Sequence, residues 1–130
     1  MFFARILLGA NGAAFALYGL ACVFSPGIVG EYSGMVLSNP GSLAEVVAMY
    51  GGLQAGVGAL FLLSAFRPAR TVDGLRLMVV LLGCLALGRT IGLLSYGYSA
   101  YNVAALVYES LAALLAFLAI QWSSAARDHA

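Results

Sequence analysis

Residues 74–94 read GLRLMVVLLGCLALGRTIGLL. About 20 apolar residues cross the hydrocarbon core of a bilayer as a helix, and this run has that length. Past Arg76, near its start, it holds a single charged side chain, Arg89. A charge at the centre of a span costs about 2.5–3.5 kcal/mol on insertion scales, so an arginine there implies a partner. Gly88 and Gly92 flank it on a GxxxG spacing, which would leave room for a neighbouring backbone.

Working outward, three further runs have the same character. The four expected spans are Phe2–Phe24, Leu43–Phe66, Gly74–Ser95 and Val103–Trp122. Breaks fall at SPG (25–27), RPAR (67–70) and YGYSAYN (96–102), and Asp73 and Asn102 are candidate N-caps for the helices they precede. Only 8% of the 130 residues are charged and 63% are hydrophobic. A soluble domain carries roughly 25% charged residues, so this chain could not cover itself in water. The expected fold is all-α, an integral membrane four-helix bundle built as one transmembrane domain over residues 1–130. The first run is expected to remain as a span rather than act as a signal peptide. It is too long for an h-region, its one basic residue, Arg5, lies inside it, and no small-x-small cleavage site ends it.

Charge asymmetry sets the expected topology. Arg67, Arg70 and Arg76 cluster at the link between spans 2 and 3, Arg5 lies near the N-terminus and Arg127 near the C-terminus. The 25–44 and 96–102 segments have no Lys or Arg. The positive-inside rule then puts the N- and C-termini and the 67–73 loop in the cytoplasm. The 25–44 loop faces outward, with IVGEYSGMVL (28–37) along the interface. Tyr32, Tyr96, Tyr98, Tyr101 and Trp122 are expected in the aromatic belts.

Each span also carries small residues at steps of three and four, which let helix backbones approach closely in lipid. They are Gly9, Gly12, Ala16 and Gly19 in span 1, and Ala44, Ala48, Gly51, Ala55 and Gly58 in span 2. Span 3 has Cys84, Gly88, Gly92 and Ser95. Span 4 has Ala105, Ala112, Ala116 and Ala119, with Glu109 at the vacant step.

Depth counting gives Arg89 its partner. At a 1.5 Å rise per residue, Arg89 lies roughly 9 Å below Ser95, and Glu109 roughly 9 Å below Val103. The short link makes spans 3 and 4 antiparallel neighbours, so the two charges share one level and should pair. Tyr18, Tyr50 and Gln54 fall near this level, with Asn11 deeper. The expectation is a polar pocket in the outer half, with Arg89 and Glu109 as its floor and the other three as candidates for its wall. Glu45 has two readings. In SLAE (42–45) it completes a capping box with Ser42 as N-cap; alternatively it is a second carboxylate for Arg89. The pair itself is either an interhelical lock or the base of a ligand or catalytic site.

Several chemistries are set aside. No span contains histidine, which argues against a His-ligated haem. The chain has no lysine for a Schiff base. Cys22 and Cys84 have no metal-site spacing, and a metal at the tail residue His129 is not expected. There is no phosphate-loop or dinucleotide fingerprint, and a net charge of +1 leaves no nucleic-acid footprint. No metal and no cofactor are expected.

AEVVAMYGGLQAGVGALFL (44–62) and GLRLMVVLLGCLALGRTIGLL (74–94) together resemble a bacterial family of small four-helix membrane proteins, domain of unknown function 4345. Its E-x4-Y-G-G-L-Q block maps onto Glu45, Tyr50, Gly51, Gly52, Leu53 and Gln54, and its second block onto Gly88, Arg89 and Gly92. ARILLGANGAAFALYG (4–19) is more loosely similar to DoxX-like four-helix proteins. The resemblance implies a four-helix bundle, a multi-pass place in the bacterial inner (cytoplasmic) membrane and no established activity. It points to Glu45, Tyr50, Gln54 and Arg89.

Three functions are compatible with these residues. The first is binding of a lipophilic small molecule (a quinone, isoprenoid or sterol-like compound) by Arg89, Glu109, Glu45, Tyr50, Gln54 and Tyr18. The second is an enzyme acting on such a ligand by proton transfer or isomerisation, with Glu109 or Glu45 as acid/base and Arg89 stabilising an oxyanion. The third is a non-catalytic subunit or an oligomeric proton-coupled transporter. The expected partners are the lipid bilayer, a lipophilic ligand and, for transport, further copies of the chain in a homo-oligomer.

Overall fold

A computed structural model of the chain describes residues 2–128, and side chains through Ser123. His129 lies outside the described residues. Helix α1 covers Phe2–Phe24 and a short α2 covers Ile28–Ser33. The next long helix is continuous from Pro40 to Phe66: α3 (Pro40–Glu45), a π-helical stretch (Val46–Gly52) and α4 (Leu53–Phe66). A 3-10 turn at Pro68–Arg70 leads into α5 (Thr71–Tyr96), and α6 runs over Ala100–Asp128. The described residues contain no strand. Four helices are long and apolar enough to cross a membrane, with mean hydropathy of 1.8, 1.8, 2.2 and 2.2 in chain order. The chain forms two compact units, one over Gly9–Leu63 and the other joining the residues up to Leu8 with those from Ser64 onward.

In the Gly9–Leu63 unit the small-residue stripes of spans 1 and 2 face each other. A Cβ added to Gly19 would lie 2.7 Å from the Gly51 carbonyl oxygen, and one added to Gly58 would lie 2.7 Å from that of Gly12. A Cβ on Gly12 would meet the Leu62 nitrogen at 2.9 Å. The contact is backbone on backbone, which glycine alone permits and which lets dispersion act over the helix length. Phe15 and Phe61 close it edge to face, centroids 5.8 Å apart. Nearer the loop, Cys22, Val29 and Val46 form a buried cluster with Tyr18, Tyr32, Leu37 and Tyr50 packed on it. Val29 anchors α2. Gly34, at φ +74°, ends that helix in the left-handed conformation, its N–H donating to the Gly30 carbonyl. Part of the expected interfacial segment 28–37 is thus a docked helix.

The expected capping box at 42–45 is displaced. The helix starts at Pro40, and Asn39 is its cap: Asn39 Oδ1 accepts from the Ser42 N–H at 2.9 Å, while the Asn39 N–H donates to Ser42 Oγ at 3.3 Å. Proline fits the first helical position because its missing N–H would be unsatisfied there. Glu45 is left at the end of α3, exposed and outside the cap.

In the other unit α5 and α6 form an antiparallel hairpin. The buried face of α5 is Thr71, Leu75, Met78, Leu82 and Leu93, and that of α6 is Glu109, Ala112, Ala116 and Ala119. Both follow the helical steps of three and four. Large residues make up the buried face of α5 and small ones most of that of α6. The small stripe of span 3 does not join this interface. Cys84, Gly88 and Ser95 are exposed, and a Cβ on Gly88 or Gly92 would meet nothing within 4 Å. The expected close backbone approach beside Arg89 is therefore absent. The reason is angular: Arg89 is on the stripe of Leu82 and Leu93, and Gly88 lies about 100° round the helix from it.

Two expected caps also shift. α5 begins at Thr71, so Asp73 falls in its first turn and pairs with Arg76 Nη1 at 3.2 Å. α6 begins at Ala100, and the Ser99 hydroxyl, not Asn102, accepts a first-turn N–H, that of Asn102, at 3.2 Å. Gly97, at φ +103°, makes the turn, its N–H donating to the Leu93 carbonyl.

Candidate functional site

The α5–α6 hairpin brings Arg89 and Glu109 to one level, as depth counting requires. Arg89 Nε donates to Glu109 Oε2 at 2.9 Å and Nη2 donates to Oε1 at 2.7 Å. This is a two-pronged pairing of fork and carboxylate, the strongest geometry available to such a pair. The third nitrogen is also engaged: Nη1 donates to Asn102 Oδ1 at 2.6 Å. Asn102 is held in turn by its Nδ2, which donates to Ser99 Oγ at 2.9 Å. Tyr101 lies over the guanidinium, with Cζ 5.7 Å from the ring centroid, a cation–π contact worth about 0.5–1 kcal/mol at exposed sites.

Exposure divides the pair. The Glu109 side chain is 6% exposed and that of Arg89 21%. The carboxylate is sealed, while the Arg89 side chain keeps part of its surface exposed on an otherwise apolar span. The two charges cancel, so the assembly is neutral although strongly polar.

Asn102 and Tyr101 were not among the expected site residues. The signal was legible: Asn102 lies seven residues before Glu109 in the same helix, two turns away on one face. Its assignment as a cap masked this, and Tyr101 stood among the interface aromatics.

The remaining expected site residues belong to the Gly9–Leu63 unit. The Tyr18 hydroxyl is hydrogen-bonded to that of Tyr32, their rings 6.5 Å apart. Tyr32 therefore has a specific partner beyond an interfacial position. Tyr50 lies within the π-helical stretch and packs on the Cys22–Val29–Val46 cluster. Gln54 is half-buried in the first turn of α4 and Glu45 is exposed. π-helical turns occur often at functional positions, and this one occupies the E-x4-Y-G-G-L-Q block. Among the described residues no group of three or more His, Cys, Asp or Glu could hold a metal ion.

A family model described as "Domain of unknown function (DUF4345)" matches residues 3–120. The chain belongs to the DUF4345 family. No curated protein and no solved structure matches it. The DUF4345 match takes in both sequence blocks and also Asn102 and Glu109, the two residues that hold Arg89.

Asn102 gives a direct prediction. Asn102→Leu removes the acceptor for Arg89 Nη1 and leaves a half-buried charged donor short of one bond, which costs about 1–3 kcal/mol. Denaturant titration in mild detergent should show this loss, with Tyr98→Leu at an exposed loop position within about 0.5 kcal/mol of wild type. Equal stability of the two variants would remove Asn102 from the site.

Proposed function

We propose that the chain is a multi-pass protein of the bacterial inner membrane that binds a lipophilic small molecule of the quinone, isoprenoid or sterol-like class. Arg89 meets its polar head in the outer half of the membrane, with both termini cytoplasmic. The observation that carries this reading is the asymmetry of the pair, a sealed carboxylate beside an arginine side chain that is partly exposed at an apolar surface. Charged groups inside spans mark ligand pathways and sites more often than simple locks, and a buried pair is weak evidence for stability as such. Leu85, Ile91 and Val107 are exposed within about one helical turn of the pair and suit a hydrocarbon body. Arg67 and Arg70, exposed in the short 67–70 link, support the orientation through the positive-inside rule.

Binding is favoured over acid–base chemistry by the occupancy of Glu109. Both of its oxygens accept from Arg89 and the carboxylate is sealed, so taking a proton from a ligand would cancel the charge that holds the guanidinium. A general base must reach the proton it removes.

The test is mass spectrometry of the lipid extract from chain purified in mild detergent. The wild type should retain a lipophilic species enriched over bulk lipid. Arg89→Gln/Glu109→Gln, which removes both charges together and leaves two hydrogen-bonding amides, should lose it. An identical extract from the folded double variant would overturn the reading.

A further inference from the structure

A second group of cations lies at the far end of α5 from Arg89. We propose that Arg5, Arg67 and Arg70 form a clamp for the phosphate of an anionic phospholipid headgroup. The inference does not depend on the site at Arg89.

Arg5 Nε donates to the Ala65 carbonyl at 2.7 Å. This bond satisfies one of the orphan carbonyls at the end of the Pro40–Phe66 helix. It also pins the Arg5 guanidinium beside the end of that helix. The chain then leaves the helix at Arg67, which is extended at φ −112°, ψ 101°, and Pro68 opens a single 3-10 turn closed by the Arg70 N–H to the Arg67 carbonyl at 2.8 Å. This bond closes a single tight turn, so Arg67 and Arg70 stand at its two ends, three residues apart.

All three arginines are exposed. Among the described side chains nearby the acid is Asp73, whose charge is taken up by Arg76. The result is three cations about one turn with no counter-charge of their own. Guanidinium is the cation suited to two-pronged phosphate recognition. The location selects a lipid as the source of that phosphate. The cluster lies where two apolar spans end, rimmed by Phe2, 80% exposed, and Phe66, 74% exposed. Such side chains belong among acyl chains at the boundary, which a free phosphate ion in water would not require.

Native mass spectrometry of the full chain in mild detergent, titrated with phosphatidylglycerol or phosphatidylcholine of matched acyl chains, tests this. The wild type should bind phosphatidylglycerol in preference. Arg67→Gln/Arg70→Gln should weaken that binding by about fivefold per arginine removed and weaken phosphatidylcholine, whose phosphate is offset by its own choline cation, much less. Arg5→Lys keeps the charge but loses the tie to Ala65, and should give an intermediate loss. Helical circular dichroism should match wild type in each. Equal binding of phosphatidylglycerol by wild type and the double variant overturns the proposal. Displacement of the lipid by millimolar inorganic phosphate overturns the lipid as the source.

Discussion

Glu109→Gln is expected to destabilise the chain by about 3–5 kcal/mol, the cost of leaving a buried ion without its partner. The carboxylate is 6% exposed, and its two oxygens take Nε and Nη2 of Arg89 at 2.9 and 2.7 Å. Glutamine has the same shape, but its amide offers one acceptor and turns a donor toward a donor. The positive charge then stays in an apolar span with Asn102 Oδ1 and the Tyr101 ring as neutral neighbours. The free energy of unfolding in mild detergent, read by circular dichroism against a denaturing detergent, measures the effect. A loss below about 1 kcal/mol would mean that water or headgroups already neutralise Arg89.

The second large effect is steric. Gly58→Val should cost about 3 kcal/mol, the upper part of the range for overpacking, because the added atoms meet backbone. A Cβ alone would lie 2.7 Å from the Gly12 carbonyl oxygen, and backbone cannot rotate away as a flexible side chain does. Gly19→Val, at 2.7 Å from the Gly51 carbonyl oxygen, should behave alike. Gly56→Val and Gly88→Val share the change in helix propensity but meet nothing within 4 Å. They should lie within about 1 kcal/mol of wild type. If all four cost the same, propensity and not the close approach of the two helices sets the value.

Residue depth in a span is a matter of counting, which is why Arg89 and Glu109 could be paired from the sequence. The rise per residue is fixed, and a short link forces the two helices to be neighbours. The buried alanines of α6 and the glycine stripe of span 1 were legible for the same reason, since a face repeats every three or four positions. What counting cannot supply is which stripe of a helix turns inward when two compete. On α5 the small stripe Cys84–Gly88–Gly92 and the large stripe Leu75–Met78–Leu82 both have helical spacing. The large stripe is the one buried, while a Cβ on Gly88 or Gly92 would meet nothing within 4 Å. Caps escaped for a local reason. Asn39, Ser42, Ser99 and Asn102 are all competent N-cap residues, and a shift of two or three positions decides whether Asn102 caps a helix or holds Arg89. The π-helical stretch at Val46–Gly52 left no composition mark beyond the paired glycines at 51 and 52.

In the proposed function Arg89 meets the polar head of a ligand while Glu109 holds it in place. The charge-swapped variant Arg89→Glu/Glu109→Arg tests it most directly, because it keeps an ion pair between α5 and α6 but moves the guanidinium to the other helix. Unfolding free energy and the retained lipophilic species should be measured together on Glu109→Gln and the swap. The swap should recover much of the stability that Glu109→Gln loses and still fail to retain the species held by the wild type. Recovery of both stability and retention in the swapped chain would contradict the proposed function and leave the pair as a lock between two helices.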